Sequence, residues 1–188
     1  MIKGWCGIMK KISKLSALVI SVIVFSFIGW LFEVLLFLIA YGGYYDRGFL
    51  YLPFCPIYGF TLLVVFLLFG TPSEGGLILS GIGKGSLRYI LYFLLSSFFA
   101  TIVELAVGWS VEFIKGRVLW DYTAYNLSIG KYACIEVSIV WGILICFASI
   151  AFKKLYEAIL MLPKQISIAI SSFGIVALLT DFIINMLA

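Results

Sequence analysis

Five carboxylates stand inside or at the edge of long apolar runs of this chain: Glu33, Glu104, Glu112, Glu136 and Asp181. An acidic group in hydrocarbon costs about 2.5–3.5 kcal/mol on insertion scales, so such residues are rare unless they pair or serve a purpose. A cluster of them can hold a cation, carry a proton, or accept hydrogen bonds from a neighbouring segment. Arg47 and Arg117, with Asp46 and Asp121 close by, lie between the runs and are the expected partners. A buried carboxylate without a partner stays protonated, whereas the planar guanidinium fork grips an ionised one bidentately. Glu104 and Glu112 are eight positions apart and so share one helix face. Gly108, one turn beyond Glu104, permits close helix contact, and that face is expected to turn inward.

Other chemistry is poorly served. The chain has no histidine, which removes the commonest general base and metal ligand and leaves no partner to activate a serine or threonine as nucleophile. Cys6, Cys55, Cys134 and Cys146 form no C-x-x-C pair, so neither a metal nor another cofactor is expected. A disulfide between Cys55 and Cys134 is conceivable. No basic run interleaved with aromatics points to nucleic acid. The stretch Gly81–Ser86 is similar to a phosphate loop, but Ile78 stands where the first glycine is required and no strand precedes it. It reads as a flexible cytoplasmic loop.

The elements that position these residues follow from composition. Of 188 residues, 64% are apolar and 12% charged, with a mean hydropathy of +1.18. Soluble domains carry about 45–50% and about 25% respectively, and a chain this small cannot hide the excess. The implied solvent is the lipid bilayer. Apolar runs at about 15–40, 53–70, 87–111, 132–152 and 164–187 predict five transmembrane helices. The fold class is an all-α, polytopic membrane helical bundle in a single integral membrane domain. The first run is too long for a signal-peptide core and reads as a retained helix. The second is short and is expected to extend back through Pro53-Phe54-Cys55, with Pro56 in its first turn.

Nine basic residues (Lys3, Lys10, Lys11, Lys14, Lys84, Arg88, Lys153, Lys154 and Lys164) fall on one side and four (Arg47, Lys115, Arg117 and Lys131) on the other. The positive-inside rule then places the N-terminus in the cytoplasm and the C-terminus outside. On this topology all five carboxylates share the outer half of the membrane, where they could converge on one cavity. Glu112 and Asp181 lie nearest the interface and read as solvated end residues. The loops at about 41–52 and 112–131 are rich in tyrosine and tryptophan, which fits either an aromatic belt or a lid over a polar cavity.

Gly29-Trp30-Leu31-Phe32-Glu33 recurs as Gly108-Trp109-Ser110-Val111-Glu112, each followed by an arginine and then a cysteine. The spacings differ. As a repeat it would pair helices one and two with helices three and four in a parallel arrangement, of the kind that places transporter sites at a repeat interface.

These residues resemble a known family. Gly29-Trp30-Leu31-Phe32-Glu33, Asp46-Arg47-Gly48-Phe49-Leu50 and Pro53-Phe54-Cys55-Pro56-Ile57-Tyr58-Gly59-Phe60 are similar to the ABC-transporter type IV family, the CmpB-like permeases. Glu104-Leu105, Gly108-Trp109, Glu112, Leu119-Trp120-Asp121-Tyr122, Asn126-Leu127, Glu136 and Trp141-Gly142 continue the pattern, over about residues 20 to 150. The resemblance implies a small multi-pass permease of bacterial plasma membranes, driven by a separate ATP-binding subunit. The expected site is an outward-facing pocket of Glu33, Arg47, Glu104, Glu112, Arg117, Asp121 and Glu136. Trp30, Tyr58, Trp109 and Trp120 would line it, which suits a small cationic or zwitterionic solute. A homo-oligomer is compatible with this reading. The competing readings are a non-transporting accessory or assembly subunit and an enzyme acting on lipid headgroups.

Overall fold

The computed structural model describes residues 2–44 and 48–187, with side chains described from Lys11 onward. The described chain is all-helical: α1 Ile2–Tyr41, α2 Pro56–Phe69, α3 Ser86–Lys115, α4 Ile135–Leu160 and α5 Lys164–Leu187. Four of these carry segments long and apolar enough to cross a membrane: Lys11–Tyr41, Ser86–Lys115, Ile135–Leu160 and Lys164–Leu187.

The exception is α2, whose 14 residues rise only about 21 Å, short of the roughly 30 Å hydrocarbon core. The expected extension through Pro53, Phe54 and Cys55 does not form. Pro56 takes the first helical position, and a residue before proline is driven away from the helical region. The Cys55 amide instead donates to the Ser26 carbonyl of α1 at 2.9 Å. The other bounds shift outward, since α1 begins at Ile2 and α4 runs on through Lys153 and Lys154 to Leu160. α3 stops at Gly116, whose left-handed conformation (φ 61°) lets its amide bond the Glu112 carbonyl at 2.8 Å.

The chain divides into two compact units, residues 1–60 with 152–188, and residues 61–151. In the first, α1 packs along α5. Its core near one end joins Ala17 and Ile20 of α1 to Ile159 of α4, with Leu155 and Tyr156 against them, and Phe25 meets Phe152 at 5.4 Å between ring centroids. In the second unit α3 buries a single stripe at four-residue spacing: Arg88, Tyr92, Ser96, Ala100, Glu104 and Gly108. That spacing keeps one ridge of the helix on one face, and it includes Glu104 as the sequence implied.

The segment between α2 and α3 is anchored ahead of Gly83 by its backbone carbonyls and amides. Arg88, 5% exposed, donates from Nη1 to the Ser73 carbonyl at 3.1 Å and from Nη2 to the Ile82 carbonyl. The Tyr92 hydroxyl donates to the Gly70 carbonyl at 3.2 Å, and the Ile78 amide returns to the Leu68 carbonyl of α2 at 2.8 Å. One buried guanidinium thus gathers the segment by its backbone.

Candidate functional site

Each intramembrane carboxylate is engaged inside its own unit. In the first unit Tyr58, in the opening turn of α2, donates its hydroxyl to Glu33 Oε1. Its ring lies on Gly29, one helical turn before Glu33, so closely that a Cβ built on Gly29 would stand 2.6 Å from Tyr58 Cβ. Only glycine leaves room for the aromatic ring there.

The second unit repeats this arrangement. Tyr132 donates its hydroxyl to Glu112 Oε2, and its ring lies on Gly108, where a Cβ would stand 2.6 Å from Tyr132 Cγ. Lys131 adds an ion pair to Glu112 Oε1. The shared pentapeptide therefore marks a duplicated latch: tyrosine ring on glycine, hydroxyl on the glutamate one turn on. The two tyrosines come from different positions relative to the cysteines, Tyr58 after Cys55 and Tyr132 before Cys134, so aligning those landmarks hides the correspondence.

Glu104 is 7% exposed and receives two neutral donors on Oε1, the Tyr122 hydroxyl at 3.1 Å and Trp141 Nε1 at 2.8 Å. Tyr122 belongs to the segment between α3 and α4, so this contact ties that segment to the middle of α3. The segment is folded on itself. Trp120 Nε1 donates to the Tyr132 carbonyl at 3.1 Å, the Tyr122 amide donates to the Lys131 carbonyl at 2.8 Å, and Ser128 bridges Cys134. Glu136 sits in the first turn of α4, where a carboxylate meets the positive end of the helix dipole. It accepts the Leu127 amide at 3.2 Å and the Cys134 thiol.

Asp181 of α5 is not a solvated end residue. It is buried at 6% exposure, and its two oxygens accept the Tyr51 amide at 3.2 Å and the Leu52 amide at 2.9 Å. One turn on, Asn185 Nδ2 donates to the Phe49 carbonyl at 2.7 Å. The segment before α2 is thereby held to α5. Backbone amides recruit Asp181 without any charge pattern in sequence, which is why its role could not be read there.

Arg117 is exposed and makes no ion pair among the described residues, while Lys131 takes the carboxylate of Glu112. Arg47 and its neighbour Asp46 lie outside the described residues. Asp121 accepts the Thr123 amide at 2.8 Å, and this bond lowers its pKa. Hydrogen bonding to Glu112 raises the pKa of Lys131. Burial, then the bond to Glu112, pushes the Tyr132 phenol up, and burial followed by Glu136 does the same for the Cys134 thiol. Cys55, Cys134 and Cys146 are free.

Each aromatic residue of the expected lining has a partner within its own unit. Trp30 stacks on Phe27 at 5.9 Å, and Trp109 stacks on Phe113 at 5.4 Å and is 62% exposed. Trp120 meets Tyr132 edge-on at 6.3 Å. Tyr58 is in the first latch.

Long apolar helices, carboxylates within them and an apolar exterior define an integral membrane protein. The chain belongs to the family described as Putative ABC-transporter type IV, which matches residues 20–186 and so includes α5. No curated protein matches the chain, and no solved structure matches it.

Proposed function

We propose that the chain is the membrane-embedded component of a transport system, working with a separate ATP-hydrolysing subunit and taking a small cationic solute at Glu104. The family assignment supports a transporter component. The observation that carries the solute class is the environment of Glu104, a nearly buried carboxylate within a spanning helix, faced by a phenol and an indole. A nearly buried carboxylate held by neutral donors complements a cation through its charge. Tyr122 brings the donor from the segment between α3 and α4, so release of that one hydrogen bond is the step that would admit solute. Glu112 and Glu136 serve in this reading to hold the segment that frames the site. Counting α2 with its flanking residues as a fifth crossing, the basic residues favour a cytoplasmic N-terminus and an external C-terminus.

The experiment is uptake into cells or vesicles against a panel of organic cations. Glu104→Gln is expected to abolish transport of one solute class while the protein is still inserted at normal levels. Unchanged transport by that variant would sink the solute site.

A second reading, an accessory or assembly subunit, is favoured by Asp181, both of whose oxygens are consumed by backbone amides. On that reading the carboxylate substitutions lower stability and partner recovery alike, with no solute-specific defect.

A further inference from the structure

On the second unit, α3 carries a shallow apolar groove of about 440 Å3 lined by Ile102, Leu105, Ala106, Trp109 and Tyr132. Its α3 residues belong to a helix of spanning length, and Ala106 and Trp109 are exposed. Hydrocarbon is the medium that covers such a face. The groove does not end in an apolar wall. Tyr132, whose ring lines it, donates its hydroxyl to Glu112, and Lys131 holds its ammonium 5.3 Å from the centre of the same ring while pairing with Glu112. The two charged side chains remain 32% and 38% exposed, so one ring joins an apolar trough to an accessible pair of opposite charges.

The geometry points to a site for one phospholipid with a zwitterionic headgroup, its acyl chain in the groove, its phosphate on Lys131 and its ammonium on Glu112. The Lys131 ammonium has three donors and gives one to Glu112. The Glu112 oxygens each accept one bond and keep a further lone pair. An anionic headgroup would satisfy Lys131 but meet repulsion from Glu112. A zwitterionic one satisfies both.

The test mixes the purified protein in detergent with equal amounts of phosphatidylethanolamine and phosphatidylglycerol and counts bound lipid by native mass spectrometry. The wild-type chain is expected to retain one phosphatidylethanolamine over phosphatidylglycerol by about fivefold, the worth of one headgroup charge contact. Ala106→Phe fills the groove from an exposed position and is expected to lose that lipid while unfolding at the wild-type temperature. Ala106→Leu, a smaller change at the same place, is expected to weaken it. Glu112→Gln keeps an acceptor for Tyr132 but removes the charge, and should shift the preference toward phosphatidylglycerol. Equal retention of both lipids by the wild-type chain, or full retention by a folded Ala106→Phe, would mean annular lipid only and would overturn the site.

Discussion

Substitution of Gly29 by alanine adds a single methyl group where the first latch has no room for one. The new Cβ would lie 2.6 Å from Tyr58 Cβ and closer still to its ring, against about 3.5–4.0 Å for carbon atoms in contact. Tyr58 must therefore withdraw by about 1 Å, which takes its hydroxyl off Glu33. Overpacking costs about 1–3 kcal/mol, and the lost hydrogen bond to a charged group about 1.5–3 kcal/mol. The better helix propensity of alanine returns at most about 1 kcal/mol. The net loss is about 2–5 kcal/mol, or a fall of about 4–20 °C in the midpoint of thermal unfolding for a chain of this length. The assay is labelling by a thiol-reactive fluorophore during heating in detergent, since Cys55 and Cys134 are buried and free. Gly83→Ala, where a Cβ meets nothing within 4 Å, is the control and should move the midpoint little. In a Tyr58→Gly background both the ring and the Cβ that Gly29→Ala would meet are gone, and Gly29→Ala should become neutral or mildly stabilising. A cost that persists in that background, or a wild-type midpoint for Gly29→Ala alone, would refute the latch.

Gly108→Ala should lower the midpoint in the same direction, because the second copy places Tyr132 on Gly108 in the same way. Arg88→Ala should cost about 2–4 kcal/mol, from two hydrogen bonds of a buried cation, and raise amide exchange at Ile78 and through residues 70–82. Asp181→Asn should cost about 1–3 kcal/mol, with faster hydrogen exchange confined at first to the Tyr51 and Leu52 amides. Lys131 and Tyr132 both have raised pKa values, so each contributes stability that is fully present below its ordinary pKa and lost as pH rises through the folded one. Unfolding midpoints should therefore fall across the alkaline range, and Lys131→Met should flatten that fall.

The sequence revealed much of the helical frame and little of the pairing. The long apolar runs returned as α1, α3, α4 and α5 because hydrophobic length is set by the bilayer and is local information. α2 came out shorter because Pro56 sets its start, a proline signal visible in the sequence but read there as lying inside a longer helix. The pentapeptide at Gly29 and Gly108 was visible as a repeat. Its meaning was not, since the tyrosine completing each copy is distant in sequence and stands on opposite sides of the neighbouring cysteine. Charge alone points to Arg117 as a carboxylate partner, yet Lys131 takes Glu112. Tyr58, Tyr122, Tyr132, Trp141 and the amides of Tyr51 and Leu52 supply neutral donors as well, and such donors leave no charge signature. The order that Arg88 imposes on Ser73 and Ile82 is hidden from a count of basic residues, which assigns that arginine to the membrane surface.

The central claim, that this chain is the membrane component of an ATP-driven transport system, is met most directly by purification of the tagged chain from its native membrane in mild detergent. Stoichiometric recovery of a distinct ATP-binding subunit is expected, with ATP hydrolysis that responds to the solute and is uncoupled from it by Glu104→Gln. Recovery of the chain alone, in a stable defined oligomer without ATPase activity, would contradict it.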